Sequence, residues 1–408
     1  MKVLYIDSVG QFGGASRSLF ELVSRLKADG VHPFFLTQDG TVRKYYDKVS
    51  EDGIYPAGIS KFNASVTGSY RGLRWLILLR EIHNIPRTIF SVLKARRKWE
   101  NFDIIHVNEI HDLFSGLLAK RFFGCPLVVQ VRCCLKEDIS SRRVRLLHWL
   151  LRTKVDKVIT IDENTGATLP DGVDVSIVHN SFSAQYAVGW ERDWAVVADH
   201  QNPVTIGFVG NVMRAKGILE LIEAVSISRK KGNNVRLLVA GGKIRNLKGL
   251  KRYILKFFGM EQDVFLEAID QIERLDAGAF VDMRGHVDDI SSVYTEMDVV
   301  AFPSYFDAPG RPIFEAAFFK VPSISCISAP RSDTVVPGQT GLTVLPKDPV
   351  SLSKAIDFYS QNREEIRRQG ENAFKLANKN FNPDKNAQEV MSIYQEILSK
   401  RRRSLPST

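Results

Sequence analysis

The chain has 408 residues, of which 44% are hydrophobic and 25% are charged, and its formal net charge is +10. This length suits two domains of about 150–200 residues each, and the composition is typical of globular rather than disordered or fibrous proteins. The four cysteines form no C-x-x-C pair, which argues against a disulfide framework or a cysteine-based metal site and indicates a reducing compartment. The apolar run Trp75–Leu79 ends at Arg80, far short of the ~20 residues that span a bilayer, and no secretory signal precedes the first predicted strand.

The first half of the chain alternates predicted strands with predicted helices. The first strand, Lys2–Asp7, leads through the loop Ser8–Ser16 into a helix that ends at Gly30. The later strands are Val31–Leu36, Asp103–Val107, Pro126–Val131, Lys157–Ile161 and Ser176–Val178, with a helix at Leu113–Phe123. Such alternation predicts a parallel sheet with helices on both faces.

A second alternating series follows a linker at residues 186–203. Its predicted strands are Val204–Val209, Val235–Ala240, Phe280–Met283, Asp298–Phe302 and Ser323–Ser325. Its predicted helices are Gly217–Lys230, Val287–Glu296, Ser351–Tyr359, Glu364–Asn378 and Pro383–Lys400. We therefore expect an N-terminal domain at residues 1–185, a C-terminal domain at 204–380, and a last helix with a basic tail at 381–408.

The segment Arg71–Trp99 is strongly basic, and Glu81 is its only acid. Its basic residues alternate with large apolar ones, which is typical of a helix lying on an anionic membrane surface. A solvated basic face is one alternative. Nucleic acid is another, but no helix-turn-helix, zinc or RNA-recognition pattern accompanies the charge. The sequence therefore predicts a membrane surface as partner and no nucleic acid.

Two carboxylates, Asp307 and Glu315, lie eight positions apart around Gly310. The preceding Asp298–Pro303 reads as a buried strand, and Pro312 starts a helix, so Asp307 falls on a loop at the carboxyl end of the strand. Ligands bind at that edge of an open α/β sheet. Backbone N–H groups near Gly310 would face a phosphate, and a helix carboxylate can accept hydrogen bonds from a ribose diol. The alternative is an Asp at a turn and a Glu on a solvated helix face.

A second strand-to-helix loop, Gly210–Gly217, follows the first strand of the C-terminal domain. It contains Lys216, which by itself is compatible with an ordinary surface lysine. The chain has no G-x-G-x-x-G pattern opening a helix, so a dinucleotide fingerprint is not predicted.

The carboxylate segment resembles the E-x7-E signature of retaining glycosyltransferases with the GT-B fold, of group 1 and family 4, written E-x-F-G-R-P-x-x-E-A. Asp307 stands for the usual first Glu, which keeps the charge and shortens the reach by one methylene, and Pro309 stands for the usual Phe. The loop Gly210–Gly217 resembles the family's G-R-x-x-x-x-K-G element. The resemblance implies an α/β protein of two doubly wound Rossmann-like domains that face each other across a cleft, with the last helix returning towards the N-domain.

The resemblance also implies roles for individual residues. The catalytic residues would be Lys216, Asp307 and Glu315. The donor would be bound by Gly13, Gly14, Gly210, Asn211, Arg214, Gly310, Arg311, Pro312 and His286. Asn211 stands where the family has arginine, and Arg214 could replace it from a different angle. On the acceptor side the candidates are Asn108, Glu109, His111 and Arg132, with Asp112 close by in sequence. Asn108 and Arg132 stand where family members often have histidine.

The function implied is retaining, metal-independent transfer of a hexosyl group from a nucleoside diphosphate sugar to a glycan or lipid-linked acceptor. Such a reaction would serve cell-surface polysaccharide or glycolipid biosynthesis, in the cytoplasm at the inner face of the membrane. No cofactor is implied besides the nucleotide sugar, which is a co-substrate, and no metal site. The alternatives are a GT-B sugar-nucleotide epimerase and a degenerate, non-catalytic protein that binds sugar nucleotides.

Overall fold

The computed structural model describes residues 1–61, 75–135, 141–183, 190–242, 264–287, 289–306 and 308–404. The chain forms two compact units, of which unit 1 is Met1–Ser183 with Phe381–Thr408 and unit 2 is Ala184–Asn380. Some sequence predictions lie outside the described residues: those for Asp307, for positions 71–74 of the basic segment, for 186–189 of the linker and for 405–408 of the tail.

Unit 1 is built around a parallel sheet. Its strands are β1 (Lys2–Asp7), β2 (His32–Thr37), β3 (Asp52–Ile54), β4 (Ile104–Val107), β5 (Leu127–Val131), β6 (Lys157–Thr160) and β7 (Val175–Ile177). Their order is β3-β2-β1-β4-β5-β6-β7. The helices in its first segment are α1 (Gly14–Ala28), α2 (Arg43–Tyr46), α3 (Trp75–Lys98), α4 (Leu113–Phe123), α5 (Arg142–Thr153) and α6 (Glu163–Gly166).

Unit 2 contains a second parallel sheet. Its strands are β8 (Val204–Val209), β9 (Val235–Ala240), β10 (Val281–Gly285), β11 (Val299–Phe302), β12 (Ser323–Ser325) and β13 (Gly341–Thr343), in the order β10-β9-β8-β11-β12-β13. Its helices are α7 (Trp194–Ala198), α8 (Ile218–Lys230), α9 (Val264–Arg274), α10 (Ile290–Thr295), α11 (Arg311–Ala317), α12 (Pro349–Gln361) and α13 (Arg363–Asn380). The predicted α/β class with two parallel sheets is confirmed.

Alternation along β1 explains why helices cover both faces of the first sheet. Leu4 and Ile6 belong to one buried cluster, which includes residues of α3, α4 and α5. Val3 and Tyr5 belong to another, which includes residues of α1 and of the last helix, α14 (Pro383–Ser404). Successive side chains of a strand point to opposite faces, so a strand that is apolar throughout needs a cover on each side.

The differences between the predicted and the observed elements have local causes. Strands β3 and β13 have three residues each, too few to display a period of two. Helix α10 begins at Ile290 instead of the predicted Val287, because the carboxylate of Asp289 accepts a 3.0 Å hydrogen bond from the amide of Ser291 and caps the helix there. In the described part of the chain, no helix has the length and apolar character needed to cross a membrane.

Candidate functional site

The strand order of unit 2 changes direction between β8 and β11, which are hydrogen-bonded neighbours. The chain leaves β8 at Gly210 and β11 at Pro303, so both loops start from the carboxyl edge of the sheet. In open α/β sheets a ligand-binding crevice forms at this edge, where the strand order reverses. The structure thus brings together the two segments that the sequence indicated, Gly210–Gly217 and Ser304–Ala316.

Gly217 allows these two segments to approach each other closely. Its φ is +72°, in the left-handed region, and a Cβ at this position would lie 2.1 Å from the carbonyl oxygen of Pro303. Nearby, the amide of Tyr305 donates a 2.9 Å hydrogen bond to the carbonyl oxygen of Ala215. Only glycine combines this backbone conformation with so close a contact, which gives the last residue of the loop a structural role.

Lys216 lies over an aromatic ring. Its Nζ is 4.5 Å from the centre of the Phe302 ring, a cation–π distance. Burial lowers the pKa of the Lys216 amine, since a low-dielectric surrounding disfavours the charged form. Within the described residues no carboxylate pairs with this amine. A partly buried cation of this kind is suited to an incoming anion.

Phe302 connects the lysine with the glycine of the second segment. A Cβ on Gly310 would lie 2.2 Å from the Cζ atom of Phe302, so the backbone at Gly310 lies directly against the ring. Sequence reasoning did not select Phe302, although its position at the carboxyl end of β11 was a usable signal. The ring also packs with Ile313 of α11 in a small buried cluster, which fixes the helix relative to the strand.

Glu315 is 4% exposed, so the alternative of a solvated helix face is excluded. Its Oε1 accepts a 2.7 Å hydrogen bond from Nε of Arg311, and its Oε2 accepts a 2.8 Å hydrogen bond from the hydroxyl of Tyr294. Two partners, one on each oxygen, hold the carboxylate in place. A carboxylate has about four acceptor positions, so it keeps capacity for further donors. Tyr294 was not predicted, because it lies on α10 and reaches Glu315 only through tertiary packing.

The start of α11 agrees with the prediction. Gly310 is its N-cap residue, and Pro312 lies in the first turn, where a missing N–H is tolerated. Arg311 pairs with Glu315 through side chains that are 12% and 5% exposed, respectively. The donor-binding roles of Gly310, Arg311 and Pro312 stay predictions.

The other predicted donor residues of unit 2 lie at the carboxyl edge of its sheet. Asn211 is exposed, directly after Gly210, whose φ is +138°. Arg214 forms an ion pair with Glu267 of α9, and this contact orients its guanidinium. His286 is exposed and follows β10.

Glycines let the ends of β8, β9 and β10 come close to one another. A Cβ on Gly241 would lie 1.8 Å from the carbonyl oxygen of Gly210. The amide of Gly241 donates a 2.7 Å hydrogen bond to the carbonyl oxygen of Gly285, the residue before His286. This edge of the sheet is therefore formed largely of backbone, which a ligand can approach closely.

Unit 1 has an analogous switch point between β1 and β4. Asn108 follows β4 and is fully buried. Nε of Arg132 donates 3.0 Å hydrogen bonds to both the carbonyl and the side-chain oxygen of Asn108. Another guanidinium nitrogen of Arg132 donates a 2.7 Å hydrogen bond to Oε1 of Gln130. Two of the predicted acceptor-side residues are thus in direct contact.

The remaining acceptor-side candidates lie on the turn before α4. Oε1 of Glu109 accepts a 2.9 Å hydrogen bond from the amide of Ile110 and a 3.3 Å hydrogen bond from the amide of Arg132. His111 is half-buried on the same turn.

Gly13 and Gly14, two predicted donor residues, lie at the start of α1. Gly13 caps the helix, and a Cβ there would meet no atom within 4 Å, so packing does not require a glycine at that position. Gly14 begins the helix.

Two buried carboxylates, Asp7 and Asp112, lie at this switch point. Asp112 was noted beside the acceptor-side candidates, whereas Asp7 was not among the predicted site residues. Oδ2 of Asp112 accepts a 2.9 Å hydrogen bond from the amide of Ser8. Oδ2 of Asp7 accepts hydrogen bonds from the hydroxyls of Tyr46, at 2.5 Å, and Ser16, at 3.1 Å. Burial, and secondly the charge of Asp7, raise the pKa of Asp112 to about 7. The position of Asp7 at the end of the first predicted strand was a signal that could have indicated it.

Within the described ranges, the side chains form no candidate metal site. No group of three or more His, Cys, Asp or Glu side chains is arranged there to hold a metal ion.

Two protein families match the chain, one in each half. Residues 192–376 match the family described as glycosyl transferases group 1, and residues 12–185 match glycosyltransferase family 4. The capsular polysaccharide biosynthesis glycosyltransferase CapM of Staphylococcus aureus is 30% identical over 279 residues, which are 68% of this chain and 66% of CapM. The glycogen synthase of Mycobacterium tuberculosis H37Rv is 22% identical over 364 residues, 84% of this chain and 81% of that enzyme.

Solved structures share the fold along nearly the whole chain. HepE of Anabaena, crystallised with UDP, is 20% identical and superposes with a TM-score of 0.74 over 97% of this chain and 100% of HepE. Sucrose-phosphate synthase of Thermosynechococcus elongatus is 18% identical, with a TM-score of 0.72 over 98% of this chain and 100% of that one. At such identities the likeness concerns the fold.

Proposed function

The chain belongs to the glycosyltransferase group 1 family and has the GT-B fold, and we propose that it transfers a hexosyl group from a nucleoside diphosphate sugar to a glycan or lipid-linked acceptor. The observation that carries the proposal is that Lys216 and Gly310 both lie against the Phe302 ring at the switch point of unit 2, while Glu315 lies buried on the helix that Gly310 caps. Similar proteins support it: HepE has been crystallised with UDP-glucose, and CapM acts in capsular polysaccharide biosynthesis.

In this proposal the diphosphate lies against Lys216. The amine has no carboxylate partner in the described residues, and burial lowers its pKa, so an arriving diphosphate favours the charged form. When the bond between the anomeric carbon and the diphosphate breaks, negative charge grows on the leaving oxygen. A fixed cation and oriented backbone N–H groups stabilise the transition state, in which this charge develops, more than they stabilise the bound substrate. This difference lowers the barrier.

Glu315 is proposed to bind the ribose. Arg311 and Tyr294 occupy one position on each carboxylate oxygen and orient the group, and its remaining acceptor positions suit the two hydroxyls of a ribose. Charge-assisted hydrogen bonds contribute about 1.5–3 kcal/mol each, so this contact would strengthen nucleotide binding. Because the contact is with the ribose and not with the transferred sugar, Glu315 would not take part in bond breaking.

Retention at the anomeric carbon is part of the proposal. The acceptor hydroxyl attacks the anomeric carbon from the side that the diphosphate leaves, the carbon–oxygen bond to the diphosphate breaks, and the hydroxyl proton passes to the departing phosphate oxygen. Lys216 supplies the countercharge, so we propose that the reaction needs no metal. Activity should then survive excess EDTA; loss of activity that magnesium restores would contradict this part.

Calorimetric titration with UDP, GDP and ADP tests the donor site. We expect one nucleotide to bind selectively, and Lys216→Ala and Glu315→Gln each to weaken that binding. Lys354→Ala, which removes an exposed lysine from α12 in the same unit, is the matched control and should bind as the parent does. If no nucleotide binds, the proposal is refuted. Release of a new nucleotide sugar without any acceptor would instead favour an epimerase.

A further inference from the structure

Three helices of unit 1, α3, α4 and α5, cover the same face of its sheet. Each contributes side chains to one buried cluster, among them Val92 of α3, Leu113 of α4 and Leu147 of α5. Their opposite sides therefore all point away from the sheet in the same general direction. That outer surface is not part of the switch-point site described above.

The outer side of α3 is apolar along successive turns. Ile82, Ile85 and Ile89 are 51%, 45% and 38% exposed and have the i, i+3, i+7 spacing of one helix face. Leu79 and Phe90, which extend this row, are 62% and 72% exposed. On α5, Trp149 is half exposed. Single exposed apolar side chains are ordinary, but a continuous row of large ones indicates an interaction surface.

The charge of this surface has one sign. Helices α3, α4 and α5 contain six, two and four Lys or Arg residues, respectively, and Glu81 is their only acid. Glu81 is 5% exposed, and its carboxylate accepts hydrogen bonds from the amide of Lys61 and the guanidinium of Arg80. The three helices thus offer no exposed carboxylate, while Arg87 and Lys94 are exposed beside the apolar row.

We propose that this surface, made of Leu79, Ile82, Ile85, Ile89 and Phe90 with Arg87 and Lys94, binds an anionic lipid bilayer. An interfacial helix places its apolar face at the boundary of headgroups and acyl chains, while Lys and Arg contact acidic headgroups. Nucleic acid would satisfy the positive charge, but it would leave the row of aliphatic side chains in water, because phosphate contacts supply that type of binding. The combination of both features therefore favours lipid.

Binding to a bilayer does not rest on the proposed transferase chemistry. The surface belongs to unit 1, and the proposed donor site is formed by residues of unit 2. Failure of nucleotide binding would leave this inference in place, and failure of lipid binding would leave the donor site in place.

Co-sedimentation of the full chain with vesicles tests the inference. We compare vesicles of phosphatidylcholine alone with vesicles of phosphatidylcholine and phosphatidylglycerol in equal parts. The parent should bind the anionic vesicles, less at high salt, and bind the neutral ones poorly. The double variant Ile85→Ser, Phe90→Ser should lose affinity by roughly tenfold or more, because both side chains would have to enter the interface.

Two further variants make the result decisive. Leu345→Ser changes a residue of unit 2 that is 66% exposed, and it should bind vesicles like the parent. Arg87→Gln, Lys94→Gln should weaken binding to anionic vesicles only. The inference is overturned if the parent does not sediment with anionic vesicles, or if the Ile85, Phe90 variant binds them as well as the Leu345 variant does. It is also overturned if an oligonucleotide binds the parent and vesicles do not.

Discussion

Lys216 is a partly buried cation, which is unfavourable in the absence of a bound anion. The Phe302 ring compensates part of the lost hydration, and no carboxylate of the described residues supplies the rest. In the free protein such a group weakens the fold, because desolvation disfavours its charge. In the proposed donor site, the charge of Lys216 would therefore strengthen anion binding while it lowers the stability of the free protein.

We expect Lys216→Met to raise the melting temperature of the free protein while weakening nucleoside diphosphate binding by roughly tenfold to a hundredfold. Methionine retains most of the apolar stem and removes the charge. Thermal unfolding and calorimetric titration of the same preparations measure both effects. A variant that is less stable than the parent, with unchanged nucleotide affinity, would show that the lysine is structural.

Asp112 should make unfolding depend on pH. Its pKa is raised from 3.8 to about 7, chiefly by burial, so between these values the folded state retains a proton that the unfolded state has released. The free energy of unfolding then falls as pH rises through this window, by at most about 1.4 kcal/mol per pH unit.

Asp112→Asn should remove this part of the pH dependence while keeping the acceptor atom that meets the amide of Ser8. Urea unfolding of both proteins below, within and above the window measures the difference. Parallel pH profiles for the two proteins would contradict the raised pKa.

At the scale of the elements, the geometry of the loop between β8 and α8 depends on Gly217. Gly217 is left-handed and lies against the carbonyl of Pro303, so it sets both the start of α8 and the distance from this loop to β11. The position of Lys216 over Phe302 follows from that distance. The geometry of the loop is therefore part of the proposed donor site.

Gly217→Ala should destabilise unit 2 by more than the ~1–2 kcal/mol of a left-handed alanine, because its Cβ also meets the Pro303 carbonyl. Gly232→Ala is the matched control: Gly232 follows α8 with a φ of +89°, and a Cβ there meets nothing within 4 Å. Denaturant unfolding and nucleotide titration compare the two variants. Equal losses of stability, with nucleotide binding unaffected in both, would show that the contact with Pro303 is unimportant.

At the scale of the molecule, the alternation of long strands and helices could be predicted, and short or tertiary features could not. Strands β1 and β8 have the predicted bounds, because each is a six-residue, mainly apolar run that ends at or just before a polar or glycine residue. The meeting of the two loops at the carboxyl edge follows from parallel strand order. The pairing of Glu315 with Tyr294 depends on the packing of α10 against α11, to which no local pattern points. Asp307 stays a prediction.

The last helix is connected to Arg132, one of the predicted acceptor-side residues of unit 1, through buried polar contacts. The hydroxyl of Tyr394 on α14 lies 2.5 Å from Nδ1 of His106, and Nε2 of His106 lies 3.3 Å from Oε1 of Gln130. Oε1 of Gln130 in turn accepts a hydrogen bond from Arg132. Burial lowers the pKa of His106 to about 3, so the imidazole in this chain of contacts is neutral near pH 7.

Tyr394→Phe should lower the free energy of unfolding by about 1–3 kcal/mol, because it leaves a nitrogen of the buried His106 without its hydroxyl partner. The ring would still fill its space in the core. Urea unfolding gives the size of the effect, and Tyr45→Phe, at a half-buried tyrosine of α2, is the control. A loss equal to that of the control would mean that the Tyr394 hydroxyl is not a stabilising partner.

The discontinuous make-up of unit 1 has a consequence for biosynthesis. The buried cluster that contains Val3 and Tyr5 is completed by Ala387, Val390, Ile393 and Tyr394, which are translated after all of unit 2. On the ribosome, the partner surfaces of α1, Leu19 and Val23 among them, therefore stay uncovered while about two hundred further residues are made. A nascent chain of this protein should be a client of chaperones that hold apolar surface, until its last helix emerges and closes the first unit.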